Sequence, residues 1–324
     1  MIEDRVTEEM DLDKILEKSR HFMDYLNRFF IERNPEVELM MIASIAQEPI
    51  LFVGPPGTGK SGLVTTFAKA MNLGMNEYFE YMLTKFTEPS ELLGPLDLKR
   101  MKAGEYFRRT TGKLPEAKIA FLDEIFKSNS AILNTLLTVL NERKFYQDGK
   151  PHPVPLKILF AATNEIPALS ELDALKDRFV LKVKVDRVQE QNWEKLVFKG
   201  LANEARVYKN QTDALDGALT FAELEYLHHH LMKTLNSAVK SEEDPYFPDS
   251  LFLEFKRLIK TILHDFEVDI TDRKLIKLYK LIRARALLFR GGGVEKEDLC
   301  LLAHVGNHEE EIDFLREKIP ELIQ

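Results

Sequence analysis

The sequence predicts an α/β fold with a mostly parallel, helix-covered sheet, followed by an all-helical region. Three observations carry that prediction. Short apolar runs at residues 50–53, 78–83, 118–122, 156–162 and 180–184 alternate with helical patterns at 60–71 and 130–141, an order that parallel strands with helices over both faces satisfy. After about residue 186 only helical periodicity remains, clearest at 221–233, 250–264 and 272–290. The first apolar run also passes straight into a glycine-rich loop and a helix start.

Before that run, Leu12, Ile15, Leu16, Phe22, Leu26, Phe29 and Phe30 recur at near-helical spacing, predicting a helix over 12–31. Asn34-Pro35 reads as its stop, ahead of a second helix at 37–46. The strand at 50–53 then leads into Gly54-Pro55-Pro56-Gly57-Thr58-Gly59-Lys60-Ser61. Glycines at 54, 57 and 59 let the backbone turn tightly and aim successive N–H groups inward. Lys60 can reach β- and γ-phosphates, and the Ser61 hydroxyl can ligate Mg²⁺. The loop therefore predicts a nucleoside triphosphate site, against the plainer alternative of a glycine turn.

Some sixty residues on, the apolar run at 118–122 ends in Asp123-Glu124. A strand ending there delivers Asp123 to the carboxyl edge of the sheet to hold Mg²⁺, and Glu124 to polarise the attacking water. Taken alone, the pair equally fits an acidic helix start. Between the second and third strands lie irregular pieces at 88–94 and 96–110, the latter read as a hairpin about Ala103-Gly104. Asp148-Gly149 predicts a second hairpin over 144–154. Pro151, Pro153 and Pro155 confine its second arm to an edge.

In the C-terminal region, Thr271 reads as a helix cap with Ile270 stapled onto Leu275, and Gly291 to Gly293 end that helix. A polar, proline-containing loop is expected at 241–248, and Glu309 to Glu311 read as a solvated helix start. The 324 residues, 44% of them apolar, are enough for two domains. One cysteine, Cys300, excludes an internal disulfide framework and fits a reducing compartment. A charged N-terminus and the lack of a long apolar run give neither a signal peptide nor a membrane span, so a cytoplasmic location is expected. A net charge of −8 with intermixed signs disfavours a broad nucleic-acid footprint. Lys99, Arg100, Lys102, Arg108 and Arg109 form a local basic exception. His228, His229 and His230 occupy consecutive helical positions about 100° apart and so cannot face one metal.

Gly54 to Ser61, Phe121 to Glu124, Ala161 to Asn164, Ala174 to Phe179 and Thr271 to Arg273 resemble, in order and spacing, the signature set of MoxR-type AAA+ ATPases. Tyr81 to Thr87, Pro89 to Pro95 and Ala131 to Leu137 look like the RavA branch. The resemblance implies a P-loop NTPase core at 1–188, an all-α lid at 189–324, and assembly as a hexameric ring with ATP and Mg²⁺ at subunit interfaces. It makes 96–110 the helix-2 insert and 144–154 the pre-sensor-1 hairpin. Asn164 would be sensor 1, against a simple turn-starting Asn; Arg178 the arginine finger, against a salt bridge to Asp177 or Asp173; and Arg273 sensor 2, reaching the γ-phosphate. RavA-type proteins often carry a further domain after or within the lid, which this sequence does not display.

The implied function is Mg²⁺-dependent ATP hydrolysis that remodels or activates a protein client, with a von Willebrand A-type partner and metal-cofactor insertion as the family analogies. Two other readings stay open at this point. One is a nucleic-acid-stimulated motor, resting on the basic hairpin; the other is a slow nucleotide-switched scaffold.

Overall fold

Five parallel strands form the platform on which the glycine-rich loop is mounted. In the computed structural model, which describes residues 10–74, 76–208, 219–241 and 243–323, they are β1 (Ile50–Val53), β2 (Tyr78–Met82), β3 (Ile119–Asp123), β6 (Ile158–Thr163) and β7 (Leu181–Lys184), in the order β2-β3-β6-β1-β7. β1 is central, with Ile50 opposite both Phe160 and Leu181. Covered on both faces, it needs apolar residues at every position, and all four are buried. Because the strands run the same way, the ends of β1, β3 and β6 reach one edge. Gly54, Asp123 and Asn164, far apart in sequence, meet there.

Alternation along the strands divides the core between the two faces. Phe52, Phe121 and Phe160 face one side, where they pack with Val64 and Phe67 of α3 (Lys60–Ala70) and with α1 (Leu12–Asn27) and α2 (Asn34–Ala46). Phe67 meets Phe22 and Phe160 edge-on at 5.3 and 5.1 Å, a favoured aromatic geometry. Leu51, Val53, Leu122 and Ala161 face the other side, under Ile132 and Leu136 of α6 (Ser130–Glu142). The Asn129 side chain starts α6 by accepting from the N–H groups of Ala131 and Ile132, a cap that contributes about 1 kcal/mol.

The inserts differ in kind. Residues 96–110, expected as a β-hairpin, instead hold the short helix α5 (Leu98–Lys102), capped by Asp97 and closed by a single Leu96–Arg108 bridge. The Asp97 cap satisfies two N–H groups locally and so competes with strand pairing. The preceding piece, expected as irregular, is the one-turn helix α4 (Pro89–Leu93), held by a capping box between Glu88 and Glu91. The second insert is a true hairpin of β4 (Lys144–Gln147) and β5 (Lys150–Pro153). Asp148 and Gly149 have φ of +51° and +70°, the two left-handed residues of a type I′ turn.

The short helix α7 (Asp173–Lys176) leads into β7, and beyond that strand lie α8 (Trp193–Tyr208), α9 (Phe221–Ser241), α10 (Asp249–Lys260), α11 (Asp272–Arg290) and α12 (Glu309–Ile323). The Thr271 hydroxyl caps α11, and Gly291 ends it in a left-handed turn whose N–H reaches back to Leu287. Ile270 is buried and Leu275 packs against the same apolar cluster. Leu278, Leu281 and Ile282 join the α1–α2 layer, so one apolar cluster runs from the sheet into the C-terminal helices.

Several boundaries move. α1 stops at Asn27 rather than 31, and Pro35 opens α2 instead of closing α1, since a proline at the first helical turn sacrifices no intrahelical bond. The helix expected over 250–264 is α10 followed by a π-turn at Thr261–Asp265. The N-terminal reading partly concerns residues 1–9, which lie outside the described residues, as does one position of the 241–248 loop. No helix among the described residues is long and apolar enough to cross a membrane.

Candidate functional site

Two groups of predicted residues emerge, in two places. The first is built on the carboxyl edge of the sheet. Gly54 is required there because a Cβ would lie 2.3 Å from the Val185 carbonyl oxygen, and Gly57 and Gly59 adopt φ of +81° and +87°. Pro55 accepts from the Thr58 hydroxyl at 3.0 Å, tightening the loop over Pro56 and Gly57. Lys60, buried at 7% exposure, donates to the carbonyls of Gly54 at 2.6 Å and Pro55 at 2.9 Å. Burial lowers its pKa, opposed by the carboxylates of Asp123 and Glu124. The ammonium is thus held inside the loop with, among the described residues, only carbonyl dipoles as direct partners, a setting that favours an anion.

Ser61 donates its hydroxyl to Asp123 Oδ2 at 3.2 Å, and the Glu124 N–H donates to Asp123 Oδ1 at 2.9 Å. A hydroxyl and a carboxylate beside a buried ammonium form a hard-oxygen donor set that fits Mg²⁺ held with a polyphosphate. Glu124 has φ +54°, unusual for a residue other than glycine. Its Oε1 accepts from Asn164 Nδ2 at 2.5 Å and lies 3.0 Å from Lys127 Nζ. Loop 54–61, Asp123, Glu124 and Asn164 are therefore brought together.

The second group surrounds Asp177. Its Oδ1 accepts from the Thr271 hydroxyl at 2.9 Å, and its Oδ2 from Arg273 at 3.2 Å and Arg178 at 3.3 Å. The salt-bridge alternative weighed for Arg178 is thus real in this chain. Among the described residues neither guanidinium bonds to the loop, Asp123, Glu124 or Asn164, and the buried Arg178 Nε has no partner. Nearby, Lys182 is wholly buried, donates to the Phe179 carbonyl at 2.9 Å, and has its pKa driven well down by burial.

Sequence reading missed a third component. A cavity of about 420 Å³ adjoins Gly57 to Gly59, walled by Phe30, Ile31, Val188, Trp193 and Leu196, with Lys199 and Asn203 at its polar side. Its size and apolar walls suit a small ligand. Arg33 ties this wall to the loop by donating to the Thr58 and Asp186 carbonyls at 3.1 and 2.7 Å. The signal available was the triple Phe29-Phe30-Ile31, set just past the true end of α1.

The remaining candidates are structural. The His228 ring nitrogen bonds the Ile45 carbonyl at 2.8 Å, and no metal-capable cluster exists among the described residues. Three of the five basic residues of the first insert make contacts within the chain. Arg100 lies over the Phe107 ring at 3.8 Å, Arg108 donates to the Gly94 carbonyl at 2.9 Å, and Arg109 pairs with Asp97 at 3.1 Å.

A glycine-rich loop after a central parallel strand, a strand-end acidic pair and a strand-end asparagine define the P-loop ATPases of AAA+ type. The chain belongs to the MoxR family: residues 17–227 match the model described as the MoxR domain in the MoxR-vWA-beta-propeller ternary systems. An uncharacterized protein of Methanocaldococcus jannaschii is 35% identical over 91% of this chain and 71% of its own length. The chaperone MoxR1 of Mycobacterium tuberculosis is 24% identical over 54% of this chain and 46% of its own. A solved structure of an ATPase candidate from Cytophaga hutchinsonii shares the fold, with a TM-score of 0.68 at 16% identity, covering 95% of this chain and 94% of that one. The finer likeness to the RavA branch rests on the sequence motifs alone.

Proposed function

We propose that this chain hydrolyses ATP with Mg²⁺ and uses the cycle to remodel a protein client, acting as a ring with active sites between subunits. The observation that carries the reading is the single cluster of Lys60, Ser61, Asp123, Glu124 and Asn164 at one sheet edge. The N–H groups of residues 54–61 and the Lys60 ammonium would hold the phosphates, and Ser61 and Asp123 the metal. Bound Mg-ATP supplies the scissile phosphoanhydride and the charge that neutralises its oxygens. Glu124, oriented by Asn164, takes the proton of the attacking water. The cavity walled by Phe30 and Trp193 would seat the base.

Arg178 and Arg273 are proposed to serve a neighbouring subunit, because both cations sit on Asp177 and neither on their own loop. The division into an ATPase core at 1–188 and a lid at 189–324, the hexameric stoichiometry and a cytoplasmic location suited to the free Cys300 thiol belong to the same proposal. The family's description supports a von Willebrand A-type partner, and metal-cofactor insertion is one task that such a partnership would serve. Client contact falls to the two inserts. They are tied together where Arg108 N–H donates to Gln147 at 3.1 Å, and they expose Tyr106 and Tyr146. Of the five basic residues of the first insert Arg109 is ion-paired with Asp97, and the net charge of −8 counts against the motor reading.

Glu124→Gln tests the assignment. It keeps the shape and loses the carboxylate, so ATP should bind within about threefold of the parent while turnover falls about 100-fold or more. Parent-level turnover in this variant would refute the chemistry.

A further inference from the structure

We propose that Lys127 is a positioning residue for the water-activating carboxylate, an inference that rests on the ATPase reading above. The backbone at Glu124 is left-handed, and the single 3₁₀ turn that follows, Ile125–Lys127, is closed by the Lys127 N–H donating to the Glu124 carbonyl at 2.9 Å. That turn carries the Lys127 side chain back over the carboxylate three residues earlier. Nζ then stands 3.0 Å from Glu124 Oε1, the same oxygen that accepts from Asn164 at 2.5 Å.

The two donors come from different elements, one from the turn after β3 and one from the end of β6. Two donors from different elements on one oxygen define the plane and rotamer of a carboxylate better than either alone. They leave Oε2 as the oxygen that accepts from no protein group among the described residues. Oε2 is therefore the oxygen presented to water. An exposed pair three residues apart is ordinarily worth little. Here the carboxylate is only 13% exposed while Lys127 is 57% exposed, so the cation covers an otherwise enclosed acid. The other charges around Glu124 are Lys60, on the phosphate side, and Asp123. Neither donates to Oε1.

The test compares Lys127→Met, Lys127→Arg and Glu124→Gln in the full-length protein, alone and combined. Lys127→Met should lower kcat about tenfold with KM for ATP within about twofold of the parent, because phosphate binding is untouched. Lys127→Arg should restore kcat to within about threefold. The double variant Glu124→Gln with Lys127→Met should be no slower than Glu124→Gln alone, since the cation acts only through that carboxylate. In the nucleotide-free chain, the Glu124 carboxyl ¹³C resonance should move in Lys127→Met and return in Lys127→Arg. Parent kcat and an unmoved resonance in Lys127→Met, a loss that Arg does not rescue, or full additivity in the double variant would each overturn the proposal. A Glu124→Gln variant that turns over normally would instead overturn the ATPase reading itself.

Discussion

The P-loop edge and the Asp177 junction hold the same kinds of residue in opposite arrangements. At the edge, an ammonium, a hydroxyl, two carboxylates and an amide from three strand ends converge, with Lys60 bonded to the Gly54 and Pro55 carbonyls. At the junction, two guanidiniums and a hydroxyl converge on one carboxylate, which partly neutralises them. The first is a site complete within one chain for holding an anion. The second is a pair of guanidiniums bonded to one carboxylate, joining the α7 turn to the start of α11. Under the proposed function the two arrangements divide the labour: the edge would bind nucleotide, and the junction cations would serve a neighbour's bound phosphate.

The largest expected effect that separates the halves belongs to Arg178→Ala. Turnover of concentrated protein should fall about 1000-fold, the scale of a lost arginine finger, while ATP affinity of the dilute chain stays near the parent value. Equilibrium nucleotide binding alongside steady-state turnover checks both. A loss of affinity as severe as that in Lys60→Ala would merge the two regions into one.

The two halves also differ in how far they could be read from sequence. The edge was legible because its residues are contiguous motifs attached to strand ends, and a parallel sheet delivers strand ends to one place whatever the details of packing. The junction was not. Arg178 sits beside Asp177 in the chain, but Thr271 and Arg273 lie more than ninety positions on, and only the docking of the α11 start on the α7 turn brings them to the same carboxylate. The same limit explains the insert at 96–110, where a glycine turn suggested a hairpin and an Asp97 cap made a helix. It explains Phe30, Ile31 and Trp193 as well, whose common cavity comes from separate segments.

A tenfold effect is expected from Asp177→Asn, which keeps an acceptor for Thr271 and removes the charge that orients both guanidiniums. Turnover should drop with nucleotide affinity unchanged. If affinity drops in step, the junction is part of the same chain's binding site and the comparison breaks.

The smallest effect on turnover, and one on stability, concerns two histidines of the C-terminal region, His228 bonded to the α2 carbonyl of Ile45 and His304 beside β7. Burial pushes His228 and His304 down to about 4, against an ordinary value of 6.5, with Arg316 adding to the effect at His304. Both are neutral in the fold, so the unfolded chain binds protons first. Their contribution is intact above about pH 6.5 and is lost as pH falls from 6.5 toward 4. Each is worth on the order of 1 to 2 kcal/mol after solvent screening. Urea unfolding across that range should show the loss, and His228→Gln should flatten part of it. An unchanged slope in that variant would remove His228 from the account.

The most direct measurement of the division of labour mixes two dead chains. Lys60→Ala lacks a working edge and Arg178→Ala a working finger, so neither should hydrolyse ATP alone. Mixed assemblies contain interfaces that pair an intact edge with an intact finger, and turnover should reappear, highest near equal proportions. If mixed assemblies demonstrably form and every mixture stays inactive, the two regions do not serve neighbouring chains and the account is wrong.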